Sequence, residues 1–227
     1  MAIAVDATSP DHSVTATSLT FSHTCSGSNR ILFVGIIGDI TTDTVTGVTY
    51  AGVSMTLVGK NKTTSSRYNY LYYLVAPATG ANNVVISQSS SVFIGGASVS
   101  YTGVRQDSPI DASTTNLATA TSITTSVTTI RDNCWYIEVC GVGNAGLTVG
   151  ANTTERCIVY TAASKFSVMY DGNIAKTPPG SVSLIVNASG SQNLGTVMCS
   201  FSPYIPASTN TLTNYRPRKR TPGAVSV

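Results

Sequence analysis

At 227 residues the chain is one large domain or two small ones, long enough to bury a sizeable core. Only 10 % of its residues are charged and 42 % are hydrophobic, which excludes a disordered polymer and a charge-rich helical protein. The net charge of +3 is owed to Arg216, Arg218, Lys219 and Arg220; the nine basic residues elsewhere face ten acidic ones, and this neutral body excludes the broad basic surface of a nucleic-acid-binding domain.

The opening MAIAVDATSP has neither a basic n-region nor a long apolar h-region. No segment approaches the roughly eighteen apolar residues of a membrane span. The expectation is synthesis in a host cytoplasm, with no signal peptide and no membrane partner. Residues 13–24 (SVTATSLTFSHT) alternate as a strand, and residues 30–38 (RILFVGIIG) form the continuous apolar run of a central strand. VTGVTYAGVSMTLVG holds two short strands around YAG, a glycine-bearing hairpin turn. YNYLYYLVA is an aromatic strand, PATGANN a loop, VVISQSS a strand, and FIGGASVSYTGV (93–104) another.

The second half repeats that order. TSITTSVTT answers TSLTFSHT, NCWYIEVCGVG answers NRILFVGIIGD, and LTVGANTTERCIVY answers the hairpin. SKFSVMYDGNIA answers the aromatic strand, TPPGSVSLIVNAS answers APATGANNVVIS, and GTVMCSFSP answers GASVSYTGV. Gly80 and Gly180, Gly96 and Gly195, and Tyr101 and Phe201 are each about one hundred apart. The pattern predicts an all-β, antiparallel two-sheet sandwich over residues 1–205, built from half-repeats at about 13–105 and 118–203. One domain is preferred over two tandem sandwiches because the linker QDSPIDASTTNLATA is short. Residues 206–227 read as a basic, proline-containing C-terminal arm outside the core. Tyr215, Arg216, Arg218, Lys219 and Arg220 are its candidate partner-binding residues, for an acidic neighbour or a few phosphates. Its last residues, GAVSV, could add as a strand to a neighbour's sheet edge.

Chemistry is sparse. The two histidines, His12 and His23, lie in the N-terminal region without a GxSxG, so a hydrolase is not expected. The two glutamates are Glu138 and Glu155. Glu138 alternates out of phase with Trp135, Ile137 and Val139, and is expected to face solvent or a neighbouring subunit. Asp39 and Asp43 are weak candidates for a Ca²⁺ site, against the plainer reading of a polar turn. No cofactor is expected. Cys25, Cys134, Cys140, Cys157 and Cys199 form no metal-ligand spacing and read as buried thiols in a reducing compartment. Tyr68, Tyr70 and Tyr72 share one strand face; if exposed, that face is a glycan platform or a subunit contact, and the contact is preferred. The sequons at Asn61, Asn152 and Asn187 are what a Thr-rich chain yields by chance.

The string NRILFVGI … VTGVTYAGVSMTLVG … LYYLVAPATGANNVVIS … GGASVSYTGVRQDSPID resembles the jelly-roll-type β-sandwich domains of bacteriophage virion proteins and of some bacterial surface proteins. The resemblance covers about residues 13–203 and brings no catalytic residues. It implies a virion structural protein: a capsid decoration, head-fibre or tail component that assembles through sandwich contacts and terminal arms. Its partners would be other virion subunits and copies of itself. A neutral Ser/Thr-rich surface, poorly suited to a free monomer, fits coverage in an assembly. The alternative is a carbohydrate- or receptor-binding module on a host-surface glycan, carried by the tyrosine face.

Overall fold

The computed structural model describes residues 2–39, 42–63, 67–143 and 145–206, with only the backbone of residue 39. In chain order the strands are β1 (Ala4–Thr8), β2 (His12–Cys25), β3 (Ile31–Asp39), β4 (Val45–Tyr50), β5 (Val53–Ser54), β6 (Thr56–Thr63) and β7 (Arg67–Val75). They continue with β8 (Gly80–Thr102), β9 (Ile110–Thr128), β10 (Trp135–Val142), β11 (Leu147–Val149), β12 (Thr154–Thr161), β13 (Lys165–Asp171) and β14 (Ser181–Phe201). The first sheet runs β5-β4-β8-β3-β7-β6, with β1 and β2 on the other edge of β8. The second runs β11-β14-β10-β13-β12, with β9 on the other edge of β14. The pairings are antiparallel, and the two sheets make a β-sandwich.

Each half supplies one sheet, and the halves share one wiring. β2, β3, β4, β6, β7 and β8 have the partners that β9, β10, β11, β12, β13 and β14 have in the second sheet. Ile31 faces Tyr101 where Trp135 faces Phe201, and Ile37 faces Gly95 where Gly141 faces Gly195. Gly195 therefore matches Gly95, one residue from the expected Gly96. At the YAG turn, Ala51 and Gly52 both have positive φ, 50° and 78°, as a tight two-residue hairpin requires.

Two expectations are corrected. The paired short strands near the end of each half are single long strands, β8 and β14, with a bulge where the sequence turns polar. Register slips from Ser18↔Ser87 to Ala16↔Val92 in the first half, and from Ser122↔Asn187 to Ala120↔Gln192 in the second. In each case four residues, 88–91 or 188–191, stand opposite one threonine, Thr17 or Thr121. Such bulges bend a ribbon without ending it, and their unpaired residues need no apolar face. Gln88 ties the first bulge together, donating from Nε2 to Ala16 O at 2.9 Å and Val92 O at 3.1 Å. The linker is also mostly strand, because β9 begins at Ile110. Its first residues are only half-buried, so hydroxyl side chains suffice there and no apolar alternation announces the strand.

The core has three layers. Ile31, Phe33, Val99 and Tyr101 meet Val139, Met169, Val197 and Phe201 between the sheets. A second cluster, including Leu32, Val34, Ile36, Tyr70 and Ile86, belongs to the first half alone. A third, including Tyr136, Cys140, Val168, Tyr170 and Leu184, belongs to the second half alone. Each half thus encloses one apolar face by itself and hides the other against its mate. Burial on both faces is the physical reason that β3 reads as a continuous apolar run and that β10 is apolar but for Glu138. The joint is reciprocal. A Cβ on Gly35 would lie 2.7 Å from Met169 Cγ, and one on Gly141 would lie 1.9 Å from Asn69 Oδ1. Asn69, seated over that second glycine, donates to Gly195 O at 3.3 Å.

Candidate functional site

The ionisable groups that sequence could not place lie inside the layers. His23, on the inward side of β2, is 3 % exposed. Its Nδ1 lies 2.8 Å from Ser98 Oγ and its Nε2 lies 3.0 Å from Ser100 Oγ. Ser100 donates in turn to Asp6 Oδ2 at 2.8 Å, so its oxygen is left to accept from His23 Nε2–H, and Ser98 donates to Nδ1. Burial drives the imidazole pKa down to about 4, against the opposing pull of Asp6, and the ring is neutral. Burial acts to raise the Asp6 carboxyl, but hydrogen bonds from Ser26 and Ser100 outweigh it and hold the group below its ordinary range. The elements resemble those of a hydrolytic triad in a different order. The serine stands between acid and imidazole, and Ser98 and Ser100 are fully buried, out of reach of a substrate.

Glu138 overturns the expectation of an exposed carboxylate. It lies opposite Tyr170 and Met198 and is fully buried. Among the described residues neither of its oxygens has a partner at hydrogen-bonding geometry, nor does the buried Tyr170 hydroxyl. Burial raises its pKa to about 8, against the lowering effect of the Thr125 hydroxyl, which lies 2.7 Å from Thr196 Oγ1. Alternation separated Glu138 correctly from Ile137 and Val139, but the face it was given is also core.

Between the halves, Asp171 is buried and receives Tyr101 OH at 2.8 Å, Arg156 Nε at 2.6 Å and the Asn173 amide at 2.9 Å. Asn61 is 9 % exposed and donates to Asn116 O at 2.6 Å and Thr196 O at 3.2 Å, so that sequon faces the other half and not solvent. Sequence reasoning missed Asp171, Tyr101 and Asn69. Asn69, a lone amide in an aromatic strand, and Asp171, an acid ending a strand before Gly172, were the available signals.

The tyrosine face is interior. Tyr70 is 1 % and Tyr72 7 % exposed within the first half's own cluster, and Tyr68 packs against it half-buried, stacked on Tyr70 at 5.9 Å. The glycan or subunit contact expected at Tyr70 and Tyr72 is therefore corrected, because both faces of β7 are covered. Asp43 is engaged by Lys60 and accepts from Tyr70 OH at 2.7 Å. Burial would raise its pKa, but these two donors lower it. The Asp39 side chain lies outside the described residues, and among those described no cluster of His, Cys, Asp and Glu converges as a metal site. All five cysteines are buried free thiols, and burial pushes Cys134 up to about 11. Tyr215, Arg216, Arg218, Lys219 and Arg220 lie outside the described residues. Where the described chain ends, Ile205 and Pro206 line a hollow of 430 Å³ with Ile3, Asn133 and Trp135.

No protein-family model matches this chain, and neither does any curated protein.

Proposed function

We propose that the chain is a structural subunit of a virus particle, of the kind that serves as a bacteriophage capsid decoration, head fibre or tail component, and that it assembles with copies of itself or with other particle subunits. The observation that carries this reading is where the polar chemistry lies. His23, Glu138, Asp171 and the thiols are sealed in the layers, while the outward faces of the long ribbons β2–β8 and β9–β14 carry mainly neutral hydroxyl side chains. A rigid sandwich joined through a shared core suits a load-bearing module. The resemblance of the strand phrases to phage virion sandwiches supports the particular setting. The glycan-binding alternative loses its motive, since Tyr70 and Tyr72 are interior. The test is immunogold labelling of purified phage particles produced with and without this chain. Label at a fixed location, lost with the chain, upholds the proposal; unlabelled particles of unchanged composition overturn it.

A further inference from the structure

We infer that the segment after the second half is a spare copy of the opening of β9, and that it adds as a strand to the open edge of β9 in a second copy of the chain. The inference rests on the assembly reading above for its premise that copies meet. Residues 110–117 read IDASTTNL and residues 205–212 read IPASTNTL, with Ile, Ala, Ser, Thr and Leu at matching positions. The match also follows the last long strand of each half, though not at an equal spacing. β9 begins nine residues beyond Tyr101, and the segment begins four residues beyond Phe201, the register equivalent of Tyr101. After residue 213 the sequence turns to NYRPRKR, where a further half would continue with its apolar strand.

The acceptor is visible in the fold. Among the described residues β9 pairs only with β14. Opposite Thr124, Ile185 gives its N–H to Thr153 Oγ1 at 2.9 Å and its carbonyl to the Gly150 amide at 2.8 Å, both away from β9. Thr124 therefore turns its own backbone groups to the outer edge, where its carbonyl accepts from Asn116 Nδ2 at 2.9 Å, a contact an added strand would share or displace, and alternation turns those of Ser122 and Ser126 the same way. From 112 to 128 the edge carries neither a charge nor a proline, the devices that usually blunt a strand edge. Thr, Ser and Asn on an added strand would meet Thr, Ser and Asn on β9, pairs that favour each other across a sheet. A second copy is the occupant because Ile205 and Pro206 sit beside Trp135 of β10, on the opposite side of β14 from that edge.

Sedimentation velocity of the purified full chain over a concentration series tests this without any particle. A null labelling result would leave it standing, and its own failure would leave the labelling result standing. The wild-type chain should self-associate. Thr209→Pro/Thr211→Pro, which breaks the donor strand, and Ser122→Lys/Thr124→Lys, which charges the exposed acceptor edge, should each weaken association at least about tenfold. Thermal melting should stay unchanged in the edge variant, since the Ser122 and Thr124 side chains are exposed, and the same is expected of the arm variant. A wild-type chain that stays monomeric, or association lost in the arm variant but kept in the edge variant, overturns the inference.

Discussion

The two halves share a wiring and bury different ionisable groups. Val34 of the first half lies between Tyr72 and Ser98, and its equivalent Glu138 lies between Tyr170 and Met198. Conversely, His23 sits where the second half has Val127. Each half has therefore placed one ionisable group among apolar neighbours, at different positions. The first half satisfies its group through Ser98, Ser100 and Asp6; in the second, among the described residues, the carboxyl has only the nearby Thr125 hydroxyl to lower its pKa and no well-formed hydrogen bond. The lesson is that a sandwich repeat fixes which positions are inside, while the chemistry of each interior position varies freely until a hydrogen-bond network is needed.

The largest expected effect comes from the second half. Glu138 has a folded pKa near 8, above its ordinary value, so the folded state holds a proton that the unfolded chain releases. Stability is fully present below the unfolded pKa of about 4.3 and falls as pH rises toward 8, by a total of a few kcal/mol. Glu138→Gln should match the wild type at pH 5 and melt higher at pH 9. Equal melting temperatures at pH 9 would show the carboxyl to be solvated or paired.

The first half should respond in the opposite direction. His23 has a folded pKa near 4, below its unfolded value of about 6.5, so its contribution is complete above the unfolded value and is lost as pH falls from there toward 4. His23→Val, which installs the residue found at the equivalent position, should remove that acid sensitivity. It should also cost about 1–3 kcal/mol at pH 7, by taking away the acceptor of the Ser98 hydroxyl and leaving Ser100 bonded to Asp6 alone. Urea titrations at pH 4.5 and pH 7 separate the two effects. An unchanged acid slope in the variant would assign the sensitivity to another group.

The joint offers a subtler contrast. Gly141→Ala drives a methyl onto Asn69, whose amide is held by Gly195, and should cost about 1–3 kcal/mol in chemical denaturation. Gly35→Ala meets the Met169 thioether, which has more rotamers through which to yield, and should cost less. The reverse order would mean that the Asn69 side of the joint is the looser one. Smallest of all, Lys60→Ala removes a half-exposed ion pair with Asp43 and should change stability by less than about 1 kcal/mol, shrinking further in high salt. A larger loss would show that Asp43 depends on Lys60 to hold Tyr70.

Much of this architecture is written in the chain. Thr, Val and Ile alternate with polar residues, turns carry Gly and Asn, and ATSLT at 16–20 recurs as ATSIT at 120–124, where both ribbons bulge. Those features determine an all-β protein of two like halves, because strand periodicity and turn geometry are local properties of the backbone. Only the tertiary structure decided what covers each face. Tyr70 and Glu138 stand on the side of their strands that alternation assigns them, yet both are interior because each half folds over that side. A period of two sorts side chains into two faces and carries no information on whether one face or both are shielded from water. That is settled by contacts between strands far apart in sequence, and it is why the buried histidine, the buried glutamate and the Asp171 joint came to light only in the folded molecule.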